Sequence, residues 1–164
     1  MPPELEVDEE LIVERLLGRK PLGPWSVCLR DRSGGPLILE TSPILSDGTP
    51  MPTLYWLIGK DLRQDVSRIE SGGGVKWADA NIDSMLISDS HERYRRLRES
   101  RIPQGYKGIR PTGGVAGTRR GVKCLHAHVA WQLMGGNDPV GIWTLGQISA
   151  LQGDERLRGS ELQL

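Results

Sequence analysis

Residues 101–137 contain no aspartate or glutamate, yet they carry Arg101, Lys107, Arg110, Arg119, Arg120 and Lys123 together with eight glycines. A stretch so punctuated by glycine is a flexible basic run rather than a regular element, and the late part of the chain must fold around it. The run leads directly into a helical stripe formed by Val122, Leu125, Val129 and Leu133. Its start offers backbone N–H groups without helical partners and the positive end of the helix dipole, both of which favour a negative ligand. Glycine lets a backbone approach closely, and arginine matches phosphate or carboxylate with two parallel donors. The expected anion-binding residues are therefore Arg110, Gly113, Gly114, Arg119, Arg120 and Lys123. The run is neither a Walker A loop nor a dinucleotide fingerprint, because Gly113-Gly114-Val-Ala-Gly117 lacks the glycine order that either requires.

The formal net charge is zero, but Glu4, Glu6, Asp8, Glu9 and Glu10 crowd the beginning while the basic run comes late. One basic surface on a neutral chain suits a specific small anion better than bulk nucleic acid. A phosphorylated small molecule or nucleotide is the expected partner; an RNA or protein partner is the alternative. No apolar stretch approaches the roughly 20 residues of a membrane span, and Met1-Pro2-Pro3-Glu4 lacks the basic start of a secretory signal, so the expectation is a cytoplasmic protein with no membrane contact. Cys28 and Cys124 then read as reduced thiols.

Phe is absent, so Leu, Ile, Val and Met must build the core with five Trp and three Tyr. A helix is expected after Asp8, with Leu11, Ile12, Leu16 and Leu17 on one side and Gly18 as its stop. Residues 25–29 and 37–41 predict two strands joined by Asp31-Arg-Ser-Gly-Gly, and residues 53–58 a third. Between the second and third, Asp47-Gly48 marks a turn, with Asp47 and Thr49 as loop candidates for a site. Leu62, Val66 and Ile69 predict a helix. Residues 82–101 predict one broken helix or two, divided at Ser88-Asp89-Ser90, with Arg93, Arg95, Arg96, Arg98 and Arg101 on a solvated face. Residues 144–151 predict a last short helix. The fold class is α+β: a small antiparallel sheet of about three strands packed with four to six helices, in a single compact domain over 1–152 followed by a polar tail at 153–164.

Cys124-Leu-His126-Ala-His128 carries candidate catalytic chemistry, because thiolate and imidazole serve as nucleophile and base or as zinc ligands. If the helix already includes Cys124, then Cys124 and His128 share a face and His126 turns toward the apolar stripe. The three converge only if the chain is extended before His126, with a fourth ligand such as Asp47 or Asp138 from elsewhere. Satisfied structural side chains are the competing reading, and Asp138 also reads as a helix cap. The residues assign no metal, name no cofactor and leave open whether the protein is an enzyme.

These segments resemble a bacterial family known as domain of unknown function 501. The resemblance rests on Glu14-Arg-Leu-Leu-Gly-Arg19, on Glu40-Thr-Ser-Pro-Ile-Leu-Ser-Asp-Gly-Thr-Pro-Met-Pro-Thr-Leu-Tyr-Trp56, and on Val122-Lys-Cys-Leu-His-Ala-His128 with Asp138-Pro-Val-Gly141. It implies a cytosolic single-domain protein without an established activity. The residues matching the family pattern are Asp47, Gly48, Thr49, Pro50, Pro52, Thr53, Lys123, Cys124 and His126. Many relatives carry a Cys-x-Cys pair where this chain has Asp31-Arg32-Ser33, so any metal held there is not carried over. Genes of the family are said to lie near a septum-formation initiator and an exopolyphosphatase-type enzyme, an association that links it to phosphate metabolism or division.

Overall fold

The computed structural model of the chain describes residues 8–161. Helix α1 spans Glu9–Leu17, where the Asp8 carboxylate accepts from Glu10 N–H and Gly18 ends the helix in the left-handed region at φ 83°. Strands β1 (Trp25–Arg30), β2 (Pro36–Thr41) and β3 (Tyr55–Leu57) form one antiparallel sheet in that order. The β1–β2 turn is built by Asp31, whose Oδ1 accepts from the N–H groups of Ser33 and Gly35, and a register shift after Val27 bends β1.

Side chains alternate across the sheet as the two-residue period of a strand demands. Leu39 and Trp56 turn to one face, where they meet Val13, Leu16 and Leu17 of α1. Ile38, Tyr55 and Leu57 turn to the other, into the main core with Val66, Tyr94, Leu125, Val129 and Trp131. Tyr55 stacks on Trp131 with centroids 6.2 Å apart. Tyr94 meets Trp131 edge-on at 5.2 Å, and its hydroxyl accepts from Leu54 N–H.

The helices of that second layer are α2 (Lys60–Ser71), α3 (Gly74–Asn81), α4 (Ser84–Ser100), α5 (Leu125–Leu133) and α6 (Pro139–Glu161). With one sheet and six helices among the described residues, the class is α+β, as the sequence predicts. Helix α3 fills a segment to which the apolar spacing assigned no element. Helix α4 is unbroken: its cap is Asp83, accepting from Met85 N–H, while Ser90 is buried and hydrogen-bonded to Asp138. Interior partners thus override the local Ser-Asp-Ser break signal. Helix α6 starts five residues before the expected Thr144 and runs on to Glu161.

Arg98 also departs from expectation, since it is fully buried rather than solvated. Its guanidinium donates to the carbonyls of Pro52 at 2.9 Å and Gly113 at 2.7 Å. A charged fork on α4 thereby ties the loop before β3 to the glycine-rich loop. Burying a cation is tolerated only with such partners.

Candidate functional site

The glycine-rich loop reaches α5 through Gly121, whose φ of 65° permits the chain to fold against Asp79 of α3. The Asp79 carboxylate accepts from Val122 N–H at 3.0 Å. Cys124 then lies extended at φ −148°, ψ 119°, and α5 begins at the next residue without a side-chain cap from Cys124. From the last turns of α2, Glu70 Oε1 accepts from Leu125 N–H at 2.8 Å and meets His126 Nδ1 at 3.0 Å. The Cys124 sulfur stands 3.9 Å from the same nitrogen.

His126 Nε2 lies 3.2 Å from the Arg63 carbonyl oxygen and 3.1 Å from Ser67 Oγ. A carbonyl only accepts, so Nε2 carries a proton and Nδ1 is the atom presented to Glu70 and Cys124. The His126 pKa is pushed up to about 9 by its hydrogen bond with Cys124 and, against the opposing effect of burial, by the Glu70 charge and the Arg63 carbonyl. The approach to Glu70 is the shorter of the two contacts, which makes an imidazolium–carboxylate pair the resting arrangement.

Cys124 and His126 of this cluster form one wall of an open cleft of about 510 Å³, with Glu70 behind them. The other walls include Arg19, Trp56, Arg63 and Lys123, with Ala116 from the glycine-rich loop at the edge. No carboxylate lines the cleft directly. The Arg19 guanidinium lies 5.8 Å above the Trp56 ring, and Arg63 donates to the Leu16 carbonyl. Among the described residues, none of Arg19, Arg63 and Lys123 is in an ion pair.

The remaining residues singled out from the sequence lie elsewhere. Arg110, Gly113, Gly114 and Arg119 line a separate cleft of about 460 Å³ with Glu92, Arg95 and Glu99. There Arg110 pairs with Glu99 at 2.9 Å and Arg95 with Glu92 at 2.7 Å. Gly114 N–H is already committed to the Thr118 carbonyl at 2.7 Å. A Cβ on Gly114 would stand 2.5 Å from His91 Cβ, so close packing alone calls for glycine there. Arg120 is exposed. Asp47 accepts from Thr49 N–H at 2.9 Å within their own loop, and neither lines the Cys124 cleft.

His128 does not join Cys124 and His126. It is fully buried, with Nδ1 2.9 Å from Asp138, and its Nε2 is buried without a partner. Asp138 caps α6 by accepting from Gly141 N–H and also accepts from Ser90, whose oxygen in turn accepts from Trp131 Nε1. Burial alone would raise the Asp138 carboxyl, but the hydrogen bonds and charge from His128, Ser90 and Gly141 outweigh it and hold the pKa below its ordinary 3.8. Beside this network, His91 accepts from Val115 N–H on Nδ1 and faces the Gly121 carbonyl with Nε2. Desolvation pushes its pKa down.

Sequence reasoning missed Arg19, Trp56, Arg63, Ser67 and Glu70. A signal was present for three of them: positions 63, 67 and 70 recur at helical spacing on α2, on a face flanking the Leu62, Val66 and Ile69 stripe.

Fold and site together define a small α+β protein with a cationic cleft beside a thiol, an imidazole and a carboxylate. Residues 27–146 match the family described as protein of unknown function (DUF501), and the chain belongs to that family. No curated protein and no solved structure matches it. Among the described residues, no helix is long and apolar enough to cross a membrane.

Proposed function

We propose that the chain binds a phosphorylated small molecule with a flat or apolar part, a nucleotide-like anion, in the cleft at the start of α5. The observation that carries this reading is the meeting of Arg19, Arg63 and Lys123 in a cleft lined by no carboxylate. Cations with no ion-pair partner among the described residues, set along a partly apolar wall, focus a positive field on whatever enters. Trp56 lines the same cleft beneath the Arg19 guanidinium and gives an apolar aromatic wall for the rest of the ligand. The glycine-rich loop contributes Ala116 to the edge, while Arg119 belongs to a cleft whose other arginines are neutralised by Glu92 and Glu99.

Titration calorimetry with pyrophosphate and with nucleoside diphosphates tests the reading. Binding is expected to weaken with added salt and to fall about tenfold, roughly 1.4 kcal/mol, in Lys123→Glu. Arg119→Ala combined with Arg120→Ala should leave it unchanged. Loss in that double variant with none in Lys123→Glu would move the site to the glycine-rich loop. No salt-sensitive binding of any of these probes would end the proposal.

A further inference from the structure

One ligand atom each from Glu70, Cys124 and His126 lies within 4.8 Å of the other two. The sulfur is 3.9 Å from Nδ1, and Nδ1 is 3.0 Å from the carboxylate oxygen. A tetrahedral zinc ion, with bonds of about 2.0 Å to nitrogen and oxygen and about 2.3 Å to sulfur, sets such atoms roughly 3.3 to 3.6 Å apart. The sulfur–nitrogen and nitrogen–oxygen distances already lie close to that spacing, and the sulfur–oxygen distance is no more than 4.8 Å, so side-chain adjustment without backbone rearrangement closes the site.

Proximity is joined by two independent features. The first is the orientation of His126, whose Nε2–H is held by the Arg63 carbonyl so that Nδ1 is aimed at the sulfur and the carboxylate. Metal-binding histidines are held by their second nitrogen in this way. The second is the delivery of the ligands by packed backbone: Leu125 N–H fixes the same Glu70 oxygen at 2.8 Å, which locks α2 against the start of α5. Thiolate, imidazole and carboxylate together suit a borderline ion of the zinc type rather than magnesium or calcium.

We propose that Glu70, Cys124 and His126 form a three-ligand site for a zinc-type divalent cation. Cys124 and His126 both line the cleft, so the fourth position opens onto it and is available to water or to a bound ligand. Three protein ligands with one open position is the pattern of zinc sites that act on substrates rather than only brace a fold. The entering ion displaces the Nδ1 proton and the thiol proton to the buffer. The proposal does not rest on anion binding, because all three ligands belong to the protein.

Cobalt(II) titration of the full chain, stripped with chelator and held in phosphate-free buffer, tests the site without any phosphorylated compound. One equivalent should bind, giving tetrahedral visible bands and a thiolate-to-cobalt charge-transfer band that zinc then abolishes. Cys28→Ser should keep both bands, Cys124→Ser should lose the charge-transfer band, and Glu70→Gln should weaken binding at least tenfold. A missing charge-transfer band in the unaltered chain overturns the proposal, as does a band that survives Cys124→Ser or disappears in Cys28→Ser. Should Cys124→Ser fail to fold, Glu70→Gln decides, and unchanged cobalt affinity there rejects the site.

Discussion

His126 and His128 sit two residues apart on α5, and each meets a carboxylate at about 3 Å, yet one pair borders an open cleft and the other is sealed in the core. The His126 and Glu70 side chains keep 23% and 28% of their exposure, while those of His128 and Asp138 keep none. Around the buried pair the neighbours are fixed: Asp138 accepts from Ser90 of α4, which itself accepts from Trp131 of α5, and from Gly141 N–H in the first turn of α6. Around the exposed pair, Arg19, Arg63 and Lys123 line the cleft, and among the described residues none of the three is in an ion pair. The same chemical couple is locked where water is excluded and open to exchange of partners where it borders a cleft, which is why the proposed site is placed at the second pair and not the first.

The sharpest way to break this comparison is to remove the carboxylate from each pair. Asp138→Ala strips His128 of its partner, leaves Ser90 unanswered and removes the cap of α6. It should lower the unfolding free energy by about 3 to 5 kcal/mol in a urea titration. Glu70→Ala, at the cleft, should cost about 1 kcal/mol in the same measurement. Equal losses would mean that the His126 pair is as structural as the His128 pair.

Acid sharpens the contrast. The Asp138 carboxyl is held below its ordinary 3.8 in the folded chain, so on acidification the unfolded chain takes up this proton first. Its contribution to stability is complete above the ordinary value and fades as the pH falls through it toward the lower folded value. Urea midpoints measured between pH 6 and pH 2.5 should therefore fall less steeply in Asp138→Asn than in the unaltered chain. Parallel slopes would show that Asp138 is not specially stabilised as a carboxylate.

Much of the frame follows from local signals. Asp8 and Gly18 bound α1, Asp31 builds the hairpin turn, and Leu62, Val66 and Ile69 mark α2, because caps, turns and apolar stripes act within a few residues. The errors share a cause. Ser90 looks like a break and Arg98 like a surface charge only until partners far along the chain are known, namely Asp138 for the one and the Pro52 and Gly113 carbonyls for the other. The candidate site divides in the same way. Cys124 and Lys123 stand out by composition, whereas Glu70 reaches the start of α5 from 55 residues before Leu125, through a bond to that residue's N–H. Spacing also left open which histidine faces inward, because the answer depends on α5 starting at Leu125 with Cys124 extended before it.

The smallest expected effect is the most discriminating. Lys123 is exposed and in no ion pair among the described residues, so reversing its charge should change the unfolding free energy by no more than about 0.5 kcal/mol. The same Lys123→Glu substitution is expected to weaken anion binding about tenfold. A side chain that matters to a ligand and not to the fold is what a binding wall requires, whereas Asp138 should show the reverse. If Lys123→Glu instead lowers stability by several kcal/mol, the cleft wall is part of the folded frame, and the contrast between the two faces of α5 fails at the residue where it should be clearest.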